Sequence, residues 1–146
     1  MIVIHSTDLT DTERHARGPG WESRRIIVKR DGVGYSVHET RVFEGAELHL
    51  HYKHHYESNY CMEGEGEVLD VATGQVHAIR PGTLYALDKN DKHVLRAIKG
   101  DLRLVCVFNP PLSGRETHRA DGSYAEPDTA ETVSYTHLRA HETKAN

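Results

Sequence analysis

The chain has 146 residues with 18 Lys+Arg against 22 Asp+Glu, a formal charge of −4 and no polybasic tract, which argues against nucleic acid as a partner. No apolar run is long enough to span a membrane, and Met1 leads straight into mixed polar sequence, so neither a span nor a secretory signal is expected. Two cysteines make no disulfide framework, and a single domain in a reducing, cytoplasmic compartment is the expectation.

In chain order, Met1 to Ile4 is a short β-prone run suited to a sheet edge. Residues 8–20 read as a polar loop closing on Gly18-Pro19-Gly20. A strand follows from Trp21 to Val28, with Arg25 and Ile27 assigned to one face. Asp31-Gly32 is a hairpin-type signal, and residues 34–43 form the next strand. Leu48, Leu50 and Tyr52 then alternate with His49 and His51, and Glu57, Asn59 and Cys61 share a face in the following run. Gly64 and Gly66 are expected to break that run into a turn before a new strand near Glu67.

Further strands are expected at 75–79, 83–88, 93–98 and 102–108, with Leu102, Leu104, Cys106 and Phe108 on one face of the last. Pro110-Pro111 stops it. Short strands with no convincing helix between them predict an all-β, single-domain antiparallel barrel or jelly roll over residues 1–124. Beyond Tyr124 the patterning ends, and 125–146 reads as a disordered or foreign tail. His137 and His141 lie four apart in that tail, without a carboxylate or a third ligand, and read as surface.

Three strands bring one carboxylate, one phenol and one imidazole: Glu57, Tyr85 and His93. Such a mixed oxygen/nitrogen set suits a borderline divalent ion such as iron or zinc and leaves positions open. From spacing alone, Tyr85 reads sooner as a core aromatic, Glu57 as a solvated strand residue and His93 as a loop or packing histidine. His51 is a further candidate, although alternation puts it on the face opposite Tyr52.

Gly45, His51, Glu57 and Gly64 resemble the first cupin motif, with Lys53 where a second histidine normally stands. Pro81-Gly82 resembles the second, with Tyr85 in place of its histidine. Trp21-Glu22-Ser23-Arg24-Arg25, Tyr85-Ala86-Leu87-Asp88-Lys89, His93, Cys106 to Leu112 and Gly114-Arg115-Glu116 are together similar to the L-ectoine synthases, a cupin branch. The likeness runs from Met1 to about Tyr124.

That resemblance implies Fe(II), with Zn(II) as a substitute, on Glu57, Tyr85 and His93. It implies substrate contacts from Trp21, Arg25, Thr40, Tyr52, Cys106, Phe108, Glu116 and His118. It also implies a homodimer, and cyclisation of N-gamma-acetyl-L-2,4-diaminobutyrate to the compatible solute ectoine with loss of water. Glu116, His118 and Tyr52 are then the candidate catalytic groups, with the base and acid roles of Glu116 and His118 exchangeable. Arg25 is the candidate partner of the substrate carboxylate, since an inward arginine needs an anion to offset its desolvation. Another metal-dependent cupin enzyme, such as an isomerase or dioxygenase, and a non-catalytic ligand-binding cupin are the alternatives.

Overall fold

The computed structural model describes residues 1–124, so the expectations for 125–146, including His137 and His141, lie outside the described residues. Eight strands are present among the described residues: β1 His15–Gly18, β2 Trp21–Ile27, β3 Ser36–Val42, β4 Glu47–Leu50, β5 Tyr56–Asp70, β6 Val76–Ile79, β7 Leu84–Ala86 and β8 His93–Asn109. All pairings are antiparallel, in the order β1-β2-β3-β8-β5-β6, with β4 added to β8 and β7 added to β5. No helix among the described residues is long and apolar enough to cross a membrane.

The long pair β5/β8 is the spine of the fold. Its lower part, Tyr56 to Cys61 against Leu104 to Asn109, carries β3 and β7 on its flanks. Its upper part, Gly66 to Asp70 against His93 to Ala97, carries β4 and β6. Between them the register slips three times, at Cys61/Glu63, Glu63/Glu65 and Glu65/Gly66. Bulges of this kind bend a strand pair, so two sheets face each other across one core. Val42, Leu102, Leu104 and Phe108 from one half meet Leu50, Val68, Ile79 and Leu95 from the other in a single buried cluster.

Two sequence expectations are corrected here. Gly64 and Gly66 do not end a strand; they let β5 run on through the bend. Gly64 has a φ of +86°, and a Cβ there would collide with the Asp101 carbonyl, as one at Gly66 would with that of Arg96. The glycines serve close backbone approach rather than a turn. For the same reason 93–98 and 102–108 are one strand.

The N-terminal region also differs. Met1 to Ile4 pairs with no strand among the described residues, and the expected loop at 8–20 contains a 3-10 turn at Ser6–Leu9 and strand β1. Arg25 and Ile27 do not share a face. A register shift between them pairs Arg25 with His38 but Ile27 with Val37, and Val28 becomes the buried residue instead. Asp31-Gly32 closes a second 3-10 turn, Lys29–Asp31, within a wider β2–β3 connection.

After β8 the chain turns back across the barrel mouth. Leu112 is fully buried, its N–H donating to Ser36 Oγ (3.0 Å) and its carbonyl accepting from Lys29 N (2.8 Å). Further along, Gly122 O accepts from His51 N at 3.0 Å, and Lys53 pairs with Asp121 at 2.8 Å. Gly122 sits at φ +85°, where a Cβ would come within 2.5 Å of His49 O. The segment is thereby laid on the β4–β5 connection, with Tyr124 buried beneath it.

Candidate active site and metal centre

Alternation in the lower sheet places its inward residues in rows that cross the strands. One row runs Arg25–His38–Cys106–Asn59–Tyr85, each residue opposite the next in the β ladders. A second runs Ser23–Thr40–Leu104–Cys61, and a third joins Ser36, Phe108 and Glu57. Strand pairing thus brings together residues far apart in sequence.

A cavity of about 30 Å³ lies over these rows. Trp21, Thr40, Tyr52, Glu57, Cys106, Phe108 and His118, all singled out by the sequence, line it. Trp21 and Tyr52 are 5% and 4% exposed. The indole of Trp21 meets His118 edge-on at 5.1 Å, and Gly18 leaves room for it, since a Cβ there would come within 2.5 Å of the indole nitrogen. His118 stacks on Tyr124 with ring centres 4.7 Å apart, and Tyr124 stacks on Tyr52 at 5.0 Å.

Tyr52 and His118 form a hydrogen-bonded pair, Oη to Nε2, at 2.8 Å. Burial pushes the Tyr52 phenol well above its usual range, so it stays protonated. Burial, then the Arg25 charge, lowers His118 to about 4. The imidazole is therefore neutral near pH 7, in a form that can accept a proton.

Arg25 is fully buried but is not in the cavity wall. Its Nη1 donates to the carbonyls of Gly114 (3.1 Å) and Glu116 (2.8 Å), and its Nε to Ser23 Oγ (3.3 Å). Nη2 has no hydrogen-bond partner among the described residues. The guanidinium ties the returning segment to β2 and keeps one donor free. Glu116 likewise sits off the wall: its carboxylate accepts from the N–H groups of Ser113 (2.7 Å) and Gly114 (2.9 Å), closing its own loop.

The expected metal trio divides between two openings. Glu57 faces the cavity, while Tyr85 and His93 line a cleft of about 610 Å³ between β6 and β7. His93 is 1% exposed; its Nδ1 donates to the Asp91 carbonyl at 2.8 Å, and Nε2 is buried with no partner among the described residues. That arrangement fixes the tautomer whose free nitrogen can ligate a metal. Burial lifts the Glu57 carboxyl to about 7 despite opposing effects of Asn59 and Cys106, a penalty that a bound cation would remove. Tyr85, also raised by burial and then by Glu57, needs such a cation to lose its proton. These donors fit a divalent ion. Among the described residues no three His, Cys, Asp or Glu side chains cluster for a metal, and this trio contains only two of those types. His51 ends half-buried beside β4, outside the cavity wall.

Sequence reasoning passed over His38, His55 and Ser23. His38 stacks on Phe108 at 5.1 Å, and its Nε2 is buried without a partner among the described residues. His55 is 1% exposed, has neither ring nitrogen bonded among the described residues, and is lowered to about 4 chiefly by burial. Period-two counting back from Glu57, Thr40 and Arg25 would have found all three.

The family model for ectoine synthase matches residues 1–128. L-ectoine synthase of Hyphomonas neptunium is 54% identical over 125 residues, 85% of this chain and 93% of that one. That of Desulfosudis oleivorans is 52% identical over 124 residues, 85% and 96% of the two chains. The crystal structure of ectoine synthase from P. lautus superposes with a TM-score of 0.74 at 46% identity, covering 78% of this chain and 81% of that one. The polyketide cyclase RemF from Streptomyces resistomycificus shares the fold at 20% identity, with a TM-score of 0.63. With its two-sheet β architecture and this cavity, the chain belongs to the ectoine synthase family of cupins.

Proposed function

We propose that the chain closes N-gamma-acetyl-L-2,4-diaminobutyrate into ectoine with loss of one water. The observation that carries this reading is one buried cavity walled by Glu57 and the Tyr52–His118 pair, with the Arg25 charge close enough to depress His118. In the reaction, the neutral α-amine attacks the acetamide carbon, forming a C–N bond while the C=O π pair moves to oxygen. Both amine hydrogens finish on that oxygen, the C–O bond breaks, and water leaves.

Glu57, Tyr85 and His93 would hold iron(II), or zinc as a partial substitute, whose Lewis acidity polarises the acetamide carbonyl. Arg25 Nη2 takes the substrate carboxylate, which supplies the anion that its buried charge lacks. His118, neutral and carried on the returning segment, accepts a proton from the attacking amine. Tyr52, kept protonated by burial, passes a proton toward the departing oxygen. Glu116 is assigned to the same proton handling through the loop it ties beside His118. Trp21, Phe108 and Tyr124 exclude bulk water, with Thr40 and Cys106 completing the floor. Holding the flexible substrate folded supplies the intramolecular advantage. The segment from Pro110 to Tyr124, which carries His118 and Tyr124 into the cavity wall, is assigned as the cover that moves when substrate enters.

The enzyme is assigned to the cytoplasm, in keeping with two buried free thiols, Cys61 and Cys106. It is assigned a homodimer. Met1 and Val3 are exposed apolar residues on an unpaired run, and Leu84 on the edge strand β7 is 59% exposed, so a second copy can cover both. Sedimentation showing only monomer at micromolar concentration contradicts the dimer. The activity is tested by supplying the acetylated diaminobutyrate to iron-loaded protein and following product by mass. Absence of a dehydrated product contradicts the reading.

A further inference from the structure

Asn59 is buried at 1% exposure in the cavity wall, with an Nδ2 that has no hydrogen-bond partner among the described residues. A buried amide donor without an acceptor is costly, and few native proteins keep one without a use for it. Its approach to Glu57 is a hydrogen-bonding one that lowers that carboxyl's pKa, but Nδ2 reaches no acceptor among the described residues at full hydrogen-bond geometry. Its place in the row fixes what it can reach. Asn59 is directly opposite Tyr85, one strand spacing of about 4.8 Å away, whereas Arg25 stands three strand spacings off at the other end. The carboxylate end of a bound substrate belongs with Arg25, and the acetamide end with Asn59.

We propose that Asn59 is a further catalytic residue of this site, its Nδ2 donating to the acetamide oxygen that gathers charge as the ring closes. The inference rests on the ectoine synthase reading. As the C–N bond forms, the π pair moves onto that oxygen, and a hydrogen bond to an ionised acceptor is roughly twice as strong as one to a neutral carbonyl. The amide therefore stabilises the tetrahedral adduct more than the bound substrate, and its contribution falls on kcat rather than KM. Being uncharged at every accessible pH, it remains a donor throughout the range in which the site works.

Asn59→Leu tests this, because it keeps the approximate volume and deletes an unsatisfied donor. The expected result on iron-loaded protein is a kcat lower by about tenfold with KM changed by less than about threefold, alongside an unchanged or raised Tm and unchanged iron stoichiometry. Asn59→Ser, which retains a shorter donor, is expected to lose less, and it serves equally if the Leu variant does not fold. An unchanged kcat in either variant overturns the proposal. So does a fall in kcat that vanishes when excess iron restores full occupancy, since the amide would then be serving Glu57. A wild-type protein that closes no ring brings down the family reading first, and this inference with it.

Discussion

The wall of the cavity and its cover are built by different means. Glu57, Asn59, Cys106 and Phe108 stand on the long pair β5/β8, where ladder hydrogen bonds fix every second side chain inward. His118 and Tyr124 stand on a segment without regular structure, held by Arg25, by Gly122 against the β4–β5 connection, and by ring stacking. The wall is rigid because many backbone bonds would have to break together. The cover depends on fewer contacts, so it is the part assigned to move when substrate enters. Changes to the wall should therefore alter chemistry or fold, and changes to the cover should alter access and binding.

The largest effect is expected at the proposed metal ligands, which stand on the sheet strands rather than on the cover. Tyr85→Phe and Glu57→Ala each remove a proposed ligand, and turnover should fall by more than the roughly 100-fold typical of losing an outer-shell partner. Iron content measured beside kcat checks this, and full activity in iron-free protein contradicts it. Next is the anchor of the cover. Arg25→Lys keeps the charge but cannot hold two carbonyls and a ligand at once, so KM should rise about 10- to 100-fold with iron content unchanged. Limited proteolysis should then cut the segment after Pro110 faster. A protein that melts far lower yet binds substrate normally would make Arg25 purely structural.

Two glycines sharpen the contrast. Gly64→Ala forces a Cβ into the Asp101 carbonyl at the bend of β5, and should cost about 2 kcal/mol of stability. Gly122→Ala strains only the seat of the cover, so kcat/KM should fall several-fold with a smaller change in Tm. Equal Tm losses in the two variants would show that cover and wall unfold as one.

How far these features could be read in advance follows the same division. Period-two alternation identified the inward faces Glu57–Asn59–Cys61 and Leu102–Phe108, because a strand's parity is local and each residue keeps it. It failed for Ile27, where a bulge advances the count by one, and at Gly64 and Gly66, whose φ and close packing are set by a strand remote in sequence. The positions of Glu116 and His118 came from resemblance to a family, since no periodicity marks a loop. That Glu116 caps its own turn, and that Arg25 holds carbonyls, depends on tertiary contacts no local pattern encodes.

A smaller effect is expected from pH. His118 and His55, each near 4, and His38, well below its usual value, are depressed chiefly by burial from an ordinary value of about 6.5. The unfolded chain binds more protons at these sites, so their stability is fully present above about pH 6.5 and is lost as pH falls toward 4. Glu57, raised to about 7, acts in the opposite sense, favouring the folded state as pH falls below 7. His93 is lowered by burial as well, so with four depressed histidines against one raised carboxyl the Tm of metal-free protein should fall from pH 6.5 to 4.5, and more steeply in Glu57→Gln. A flat profile would contradict the neutral state of the buried histidines. The smallest effect is expected on the outer face, where Arg103→Ala breaks 2.8 Å pairs with Glu39 and Glu63 and should cost no more than about 1 kcal/mol, measured by denaturant melts.

The most direct test of the ring-closing assignment is mass spectrometry of iron-loaded protein incubated anaerobically with N-gamma-acetyl-L-2,4-diaminobutyrate. The account predicts time-dependent loss of one water from the substrate, with a product co-eluting with ectoine and no consumption of oxygen when air is admitted. Substrate recovered unchanged, or turnover that consumes oxygen in step with product, would contradict it.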